Sequence, residues 1–374
     1  MRIAILGAGP AGLYLSYLIK RRDPDADVTV FEQNPADATF GFGVVFSDRA
    51  LEFLREDDEE TYAAIVPHME SWHDITLVKD GERITIDGIG FAAIGRLKLL
   101  QLLQVRAASV RATAIFGVPV RSLNELDEFD LVVGADGVNS FVRKTYAGEL
   151  GASTGYLSNR FAWFGTEKRF ETLTQTFVDS EFGAFNAHHY RYEADKSTFI
   201  VEADEATFQR AGFANMSEAE SKALCERIFA EALDGAPLIS NNSVWRQFPI
   251  VLNEHWSHGK YVLIGDALHT AHFSIGSGTR LAIEDAIALD KALAAHGDLR
   301  EALAAYETVR RPILDKLVRG ANSSAEWYQR FAEHMKLPTA DFAMSYITRS
   351  GRVDIERLRK LSPGFVAWYR QHRP

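Results

Sequence analysis

A glycine-rich turn close to the amino terminus has the residue types and spacing of a dinucleotide-binding loop. It follows an apolar run at residues 2–6 that predicts a buried strand, and it precedes a helix predicted over residues 14–22. Such glycines permit a tight turn, let the backbone approach a pyrophosphate, and let the helix pack closely against the strand, while the helix N-terminus faces the anion. The turn residues predicted to bind a dinucleotide are Gly7, Gly9, Pro10, Ala11 and Gly12.

A carboxylate ends the second predicted strand, residues 28–31, about 20 residues after the turn. Glu32 stands where a side chain accepts hydrogen bonds from ribose hydroxyls, and Gln33 follows it. Strand, turn, helix and carboxylate together form a β-α-β unit. The sequence therefore predicts that Glu32 and Gln33 contact the bound dinucleotide.

Two later segments also place a polar turn directly after a buried strand. The apolar residues 131–134 are followed by Asp136, and the apolar residues 261–264 are followed by Gly265 and Asp266. A second glycine-rich stretch then precedes a long alanine-rich helix predicted over residues 281–295. It reads Ile275, Gly276, Ser277 and Gly278, and these residues are also predicted to bind the cofactor.

These ordered motifs resemble those of the group A FAD-dependent monooxygenases, the aromatic-ring flavoprotein hydroxylases. The resemblance implies noncovalent FAD that is reduced by NADH or NADPH, of which NADH is favoured, and reoxidised by O₂. A flavin C4a-hydroperoxide then transfers one oxygen atom to an electron-rich ring. It further implies FAD contacts from Val45 and from Arg96, which begins a helix predicted over residues 96–108. Backbone N–H groups of residues 275–278 are suited to stabilise negative charge on the flavin.

Two segments narrow the resemblance to a smaller group. Residues 41–47 and 269–278 are similar to salicyloyl-CoA 5-hydroxylases, to the monooxygenase portion of 2-aminobenzoyl-CoA monooxygenase/reductases, and to the tryptophan-derivative hydroxylase of violacein synthesis. Phe273 and Arg280 replace a proline and an asparagine that are usual in the broader family. The expected reaction is conversion of salicyloyl-CoA to gentisyl-CoA. The alternatives are hydroxylation of 2-aminobenzoyl-CoA or of a free tryptophan-like aromatic, and, in a different class, a FAD-bound binding or regulatory protein without oxygen transfer.

Histidines are the candidate bases, because imidazole can accept a phenolic proton near neutral pH. His272, beside the second glycine-rich stretch, is the predicted catalytic residue, and a role confined to hydrogen bonding within its loop is the alternative. His188 and His189 lie in a predicted strand, where one side chain can line a pocket and the other must face away. His188 and Phe273 are predicted substrate contacts. No metal site is predicted.

A basic segment ends the chain, with seven Arg and Lys against two acidic residues between residues 349 and 374. Arg352 and Arg359 are predicted to hold the phosphates of a CoA thioester, since guanidinium groups suit a polyanion. A solvated surface is the alternative interpretation.

The elements that must position these residues define a two-part α/β architecture. A Rossmann-like FAD-binding domain is predicted from residues 1–65, 90–150 and 256–330. A mainly antiparallel β-sheet substrate domain is inserted as residues 66–89 and 151–255, and residues 331–374 form a helical, basic segment. Further helices are predicted at residues 48–64 and 217–233.

Composition excludes several other classes of protein. The 374 residues include 51 acidic and 41 basic side chains, a formal charge of -10 that disfavours sequence-independent nucleic-acid binding. The single cysteine, Cys225, excludes a disulfide framework within the chain. No apolar run reaches the roughly 18 residues that a membrane span needs. Composition therefore predicts a cytoplasmic protein, and the resemblance implies a monomer or homodimer that acts on a small aromatic molecule.

Overall fold

The computed structural model describes residues 1–47 and 51–373. Its strands are β1 (Arg2–Leu6), β2 (Asp27–Glu32), β3 (Gly43–Ser47), β4 (Glu70–Trp72), β5 (Ile75–Lys79), β6 (Glu82–Ile86), β7 (Phe91–Gly95), β8 (Thr113–Phe116), β9 (Leu131–Gly134), β10 (Ser153–Thr166), β11 (Leu173–Ser180), β12 (Gly183–Glu193), β13 (Lys196–Ala203), β14 (Leu238–Ile239), β15 (Arg246–Leu252), β16 (Ser257–His258) and β17 (Tyr261–Leu263). Its α-helices are α1 (Pro10–Arg22), α2 (Glu52–Asp57), α3 (Glu59–Ile65), α4 (Arg96–Ser109), α5 (Phe141–Thr145), α6 (Glu205–Ala211), α7 (Glu218–Ile228), α8 (Ala230–Leu233), α9 (Gly278–Ala295), α10 (Leu299–Gln329), α11 (Phe331–His334), α12 (Thr339–Thr348), α13 (Ile355–Leu361) and α14 (Pro363–His372). Among the described residues, no helix is both long enough and apolar enough to cross a membrane.

The first sheet brings the three polar strand ends to one edge. Its strands lie in the order β16-β17-β9-β1-β2-β8, and every neighbouring pair is parallel except β16 with β17. Because β17, β9 and β1 are adjacent, Asp266, Asp136 and the glycine turn after Leu6 meet at the carboxyl edge of the sheet. Ligands of open α/β sheets bind at this edge.

The second sheet has eight strands and is mainly antiparallel. It follows the order β14-β10-β13-β12-β11-β5-β6, with β15 paired to β10, and only β11 with β5 is parallel. The hairpin β5–β6 thus joins strands that come from residues 153–252. A Rossmann-type sheet combined with an inserted, mainly antiparallel sheet confirms the predicted fold class.

A third, three-stranded sheet crosses the predicted domain boundaries at residues 66 and 90. β4 and β3 both pair with β7, so a strand assigned to the substrate domain pairs with one assigned to the FAD-binding domain. The reason is that β4 and β7 belong to the small sheet, whereas the hairpin between them, residues 75–86, belongs to the second sheet.

Two predicted helices have different bounds in the structure. α1 begins at Pro10 rather than at Tyr14, because proline suits the first helical position and Gly9 accepts the first helical hydrogen bond. The helix predicted over residues 217–233 is interrupted at Phe229 and forms α7 and α8.

The helical stretch predicted over residues 48–64 is also divided. Residues 48–50 lie outside the described part of the chain, and the remainder forms α2 and α3. Asp58 separates the two helices, and its Oδ1 accepts a hydrogen bond from the backbone N–H of Thr61 at 3.3 Å. An N-cap of this kind starts a new helix.

The carboxyl-terminal helices share a core with the second sheet. Leu358 and Phe365 are buried in one cluster with Ile84, Ile86 and Trp327. The basic side chains of this segment lie mostly on its outer surface. The segment is therefore folded against the β5–β6 hairpin and is not a free tail.

Candidate active site

The glycine turn after β1 is held by the neighbouring strand and leaves space on its outer side. Gly7 has a φ of 103°, and a Cβ built on it would lie 2.3 Å from the carbonyl oxygen of Ala135. A Cβ on Gly12 would lie 2.1 Å from the carbonyl oxygen of Gly7, so both positions require glycine. A Cβ on Gly9, in contrast, would meet no atom within 4 Å. The fold itself therefore does not require glycine at residue 9. Close approach of a pyrophosphate to the backbone of the turn does require it.

Glu32 connects the end of β2 to this turn. Its Oε2 accepts a hydrogen bond from the Ala8 backbone N–H at 2.9 Å, and its Oε1 accepts from the backbone and side chain of Asn34 at 2.8 and 2.7 Å. Glu32 lines a cavity of about 130 Å³ together with Gly9 and Arg96. Glu32, the predicted contact for the ribose, therefore lies beside the turn. Gln33 is exposed and does not line this cavity.

We expect Glu32→Ala to weaken FAD binding about 10- to 100-fold, because a hydrogen bond to a charged group contributes about 1.5–3 kcal/mol. The measurement is the dissociation constant of FAD from the apoprotein, followed by flavin fluorescence. Gln33→Ala is the matched control, and an equal loss in both variants would contradict a direct contact from Glu32.

A larger cavity of about 840 Å³ separates the carboxyl edge of the first sheet from one face of the second sheet. Most of the residues predicted from the motifs line it, namely Gly9, Pro10, Ala11, Val45, Arg96, His188, Gly265, Asp266, Phe273, Gly276, Ser277 and Gly278. The predicted residues that do not line it are Gly7, Gly12, Glu32, Gln33, Asp136, His272, Ile275, Arg352 and Arg359. Motifs that are far apart in the sequence therefore converge on one space.

Arg96 lies where the two cavities meet, since it lines both. No ion pair or side-chain hydrogen bond of its guanidinium group occurs within residues 1–47 and 51–373. Burial lowers the pKa of Arg96, and the nearby Asp266 opposes that shift. Desolvation by the surrounding protein likewise raises the pKa of Asp266, which opens onto the large cavity, against the charges of His269 and Arg96. A cation between the glycine turn and Asp266 suits a pyrophosphate.

Asp136 does not line the cavity and instead stabilises the start of α5 beside it. Its Oδ2 accepts a hydrogen bond from the Phe141 backbone N–H at 2.6 Å, at the start of α5. Its Oδ1 is buried without a partner in the described residues, and burial raises the pKa of the carboxyl. Arg143 of α5 is held by the carbonyl oxygens of Ala267 and Val138. The two strand-end motifs are thereby connected to each other.

The N-terminus of α9 opens onto the large cavity. Ser277, Gly278 and Thr279 line it, and the first turn of this 18-residue helix has no acidic residue. Gly276 precedes the helix in the left-handed conformation, with φ 59°, and lies against Val45. The positive end of a long helix that faces a cavity stabilises negative charge placed there. Ile275 packs into the core instead.

A buried network of ion pairs and hydrogen bonds holds Gly265 in place. Its central cation, Arg310, was not predicted from the sequence. Asp285 of α9 accepts hydrogen bonds from the Gly265 backbone N–H at 3.0 Å, from His269 at 2.7 Å and from Arg310 at 2.8 Å. Arg310 also pairs with Glu284 at 2.7 Å. His269 is therefore structural. Arg310 lies 25 residues from Asp285 in a helix without a recognisable motif, so only the fold reveals the pairing.

The second sheet contributes an aromatic and polar wall to the cavity. Phe161, Trp163, Gln175, His188 and Tyr190 all line it from successive strands. His189 points to the opposite face, where its ring stacks on Phe199 at 5.0 Å between centroids. Alternation along β12 therefore separates the two histidines.

His272 lies behind the wall of the cavity. It is 3% exposed, and its Nδ1 is 2.8 Å from the hydroxyl of Ser274. The rings of Phe248 and Phe273, which line the cavity, pack against it. Burial lowers the pKa of His272 to about 4, although Glu202 opposes the shift. A catalytic base must face the substrate, and His272 does not line the cavity. Its placement therefore favours the alternative, a histidine that hydrogen-bonds within its own loop.

The predicted CoA arginines, Arg352 and Arg359, do not line the cavity. Arg352 packs over Gly320 of α10, and Arg357 donates a hydrogen bond to the Arg352 carbonyl oxygen at 3.4 Å. Partial burial, and then the charges of Arg280 and Arg357, lower the pKa of Arg352. Arg359 is instead paired with Glu356 of its own helix at 2.6 Å. The structure thus groups Arg352 with Arg280 and Arg357.

The arrangement fits FAD by three observations of the protein itself. The turn leaves open space at Gly9, Arg96 joins the smaller cavity at Glu32 to the large cavity, and the N-terminus of α9 opens onto the large cavity. A bound dinucleotide needs an open turn for its pyrophosphate and a carboxylate beside it for its ribose. Fold and site therefore define a flavin-binding enzyme with an aromatic-lined substrate space.

Comparison with known proteins identifies the family. Residues 127–321 match the model of a FAD binding domain, and residues 5–37 match that of a NAD(P)-binding Rossmann-like domain. The chain is 42% identical to a salicyloyl-CoA 5-hydroxylase of Streptomyces over 94% of its length and 70% of that protein. The chain belongs to the FAD-dependent aromatic monooxygenases.

Two further relatives extend over almost the whole chain. A 3-hydroxy-4-methyl-anthranilyl-[aryl-carrier protein] 5-monooxygenase of Streptosporangium sibiricum is 34% identical, over 98% of this chain and 99% of its own. A protodeoxyviolaceinate monooxygenase of Chromobacterium violaceum is 32% identical, over 93% and 94%. The predicted family, its FAD, NAD(P)H and O₂ requirements and its enzymatic nature are confirmed, and the alternative of a binding protein without oxygen transfer is wrong.

Proposed function

We propose that this protein hydroxylates salicyloyl-CoA to gentisyl-CoA, with O₂ and NAD(P)H as co-substrates. The observation that carries the proposal is the 42% identity to a salicyloyl-CoA 5-hydroxylase over 94% of the chain. The aromatic wall of the large cavity fits a planar ring, and its volume of about 840 Å³ is within the range of small-molecule sites.

The cofactor would be held by the residues that line the two cavities. The glycine turn and Arg96 would hold the pyrophosphate, Glu32 the ribose, Asp266 the ribityl chain, and residues 276–278 the flavin ring. When bound and reduced, FAD would supply the activation of O₂, from which one oxygen atom enters the aromatic ring.

The chain's own contribution is orientation and the exclusion of water. Phe161, Trp163 and Phe273 provide an apolar surface against which the substrate ring packs. The N-terminus of α9, which opens onto the cavity, would stabilise negative charge on the bound flavin. A dry, oriented site favours oxygen transfer over loss of peroxide.

A panel of substrates tests the proposed reaction. Salicyloyl-CoA, 2-aminobenzoyl-CoA, free salicylate and free tryptophan are each given to the holoenzyme, with NAD(P)H consumption and product mass as readouts. The expected result is efficient hydroxylation of salicyloyl-CoA alone. 2-Aminobenzoyl-CoA is the second candidate, because one relative is named for an anthranilyl substrate, and anthranilyl is the 2-aminobenzoyl group. Hydroxylation of free salicylate without a response to its thioester would contradict the proposal.

The arginines beside the loop at residues 273–278 are the proposed contacts for the CoA phosphates. Arg349 donates to the Ser274 carbonyl oxygen at 2.9 Å, which places the Arg352 segment next to a residue of the cavity wall. Arg357 adjoins Arg352, and Arg280 is in the first turn of α9. Arg280 is paired with Glu284 at 2.7 Å, so Arg352 and Arg357 are the two proposed phosphate contacts of this region.

The double variant Arg352→Ala/Arg357→Ala is expected to raise KM for salicyloyl-CoA about tenfold, since exposed ionic contacts contribute up to about 1 kcal/mol each. The salt dependence of KM should fall and kcat should change little. Arg359→Ala is the matched control, because Arg359 is paired with Glu356. An equal rise in KM for Arg359→Ala would contradict this assignment and support the sequence prediction that Arg359 contacts CoA.

A further inference from the structure

A row of buried polar side chains crosses the second sheet directly behind the substrate space. Gln175 of β11, His188 of β12 and Glu202 of β13 belong to it, and Gln175 and His188 line the cavity. Glu202 is 2% exposed, and Asn159 and Tyr328 enclose it from behind. A carboxyl group this deep in a protein needs a partner or a function.

The hydrogen bonds of this row fix the tautomer of His188. The Tyr328 hydroxyl donates to Gln175 Oε1 at 3.1 Å, and Gln175 Nε2 donates to His188 Nδ1 at 2.9 Å. Because Nδ1 accepts, the proton of the neutral ring is on Nε2. Nε2 faces Glu202 Oε2 at 3.6 Å, and within residues 1–47 and 51–373 neither of these two buried atoms has a hydrogen-bond partner.

The other carboxylate oxygen is anchored. Asn159 Nδ2 donates to Glu202 Oε1 at 2.8 Å and to the Tyr328 carbonyl oxygen at 2.8 Å. The carboxyl group is therefore held with its free oxygen directed at the imidazole. Catalytic hydrogen bonds are often long before substrate binds and shorten in the complex.

The surroundings favour passage of a proton through His188 over its retention there. Burial and, to a smaller extent, the charge of Arg349 lower the pKa of His188 to about 3, so imidazolium is disfavoured. Burial raises the pKa of Glu202, against the charge of His272 and the hydrogen bond from Asn159, which makes its carboxylate a stronger proton acceptor than an exposed glutamate. Tyr328 and Tyr346 are the other titratable groups beside them.

We propose that His188 and Glu202 form a proton relay that deprotonates the ring hydroxyl of the substrate, an inference that rests on the proposed function. The substrate hydroxyl replaces Gln175 at Nδ1. Its O–H bond breaks and an Nδ1–H bond forms, while the Nε2–H bond breaks and an Oε2–H bond forms on Glu202. The electron pair of the O–H bond stays on the substrate oxygen, so the ring becomes a phenolate. His188 is the catalytic residue, and Glu202 is a positioning residue that receives the proton through it.

Binding spectroscopy tests the relay without turnover. Salicyloyl-CoA is titrated into the oxidised holoenzyme without NAD(P)H, and its phenolate absorption is followed from pH 6 to pH 10. We expect His188→Gln and Glu202→Gln to shift the ionisation of the bound ring to higher pH, and to lower hydroxylation at neutral pH about 100-fold. Glu202→Asp, which keeps a carboxylate, should restore part of the phenolate signal.

His189→Gln is the matched control, because this histidine is adjacent in sequence but faces the opposite side of the sheet. FAD content and thermal melting establish that each variant is folded. An unchanged ionisation profile in Glu202→Gln, or loss of the phenolate in His272→Asn but not in His188→Gln, would overturn the relay. Failure of the wild type to bind or hydroxylate salicyloyl-CoA would instead overturn the proposed function.

Discussion

A Gly9→Val variant is expected to fold like the wild type and to purify without FAD. The reason is that a Cβ at residue 9 would meet no protein atom within 4 Å, so the fold itself tolerates a side chain there. The same space must admit the pyrophosphate of the cofactor, and an isopropyl group would fill it. We expect FAD affinity to fall about 100-fold or more, and hydroxylation to fall with it. The flavin absorbance of the purified protein and its melting temperature measure the two effects separately.

Two other glycines calibrate this experiment. Gly297→Val is the matched control, since a Cβ there also meets nothing within 4 Å and the residue is exposed far along the chain. Gly12→Ala should have the opposite profile and destabilise the apoprotein, because its Cβ would lie 2.1 Å from the Gly7 carbonyl oxygen. Wild-type FAD content in Gly9→Val would exclude the glycine turn as the pyrophosphate site.

The cofactor motifs could be predicted because each is a local pattern with a local physical cause. Gly7 and Gly12 are required by backbone contacts within the β-α-β unit, and Glu32 ends the strand that the unit must contain. The spacing of such residues is set by a short strand and one helix. Their convergence on one cavity then follows from the parallel order of β1, β9 and β17.

The substrate side could not be predicted in the same way, because it depends on pairing between distant strands. His272 and His188 are equally polar in the sequence, and only the turn at residues 272–275 places the first behind Phe273. Glu202 resembles an ordinary strand residue until β10 and α10 bury it beside Asn159 and Tyr328. The basic carboxyl-terminal segment looks like a solvated tail, yet its apolar residues complete a core formed by β5 and β6.

The second large effect is expected when the network behind Gly265 is broken. Arg310 is 4% exposed and pairs with both Asp285 and Glu284, so Arg310→Met removes a shared cation and leaves Asp285 with His269 and Glu284 with Arg280. Removing one partner of a buried ion pair costs about 3–5 kcal/mol. For a chain of this size we expect the melting temperature at pH 7 to fall by about 4–6 °C. Arg319→Met, an exposed position on the same helix, should change it by less than about 2 °C.

The effect of pH distinguishes a broken ion pair from a simple packing defect. Burial alone would raise the pKa of Asp285, but His269 and Arg310 outweigh it and hold the pKa below its usual value. A carboxyl whose pKa is lowered by folding stabilises the protein above its unfolded pKa of about 3.9, and that stabilisation is lost as pH falls through the folded pKa. The difference in melting temperature between wild type and Arg310→Met should therefore narrow as the pH is lowered from 7 to below 4. Because Asp285 also accepts the Gly265 N–H, the variant should retain less FAD at pH 7. A difference in melting temperature that stays constant between pH 7 and pH 3 would show that Arg310 acts through its packing and not through its charge.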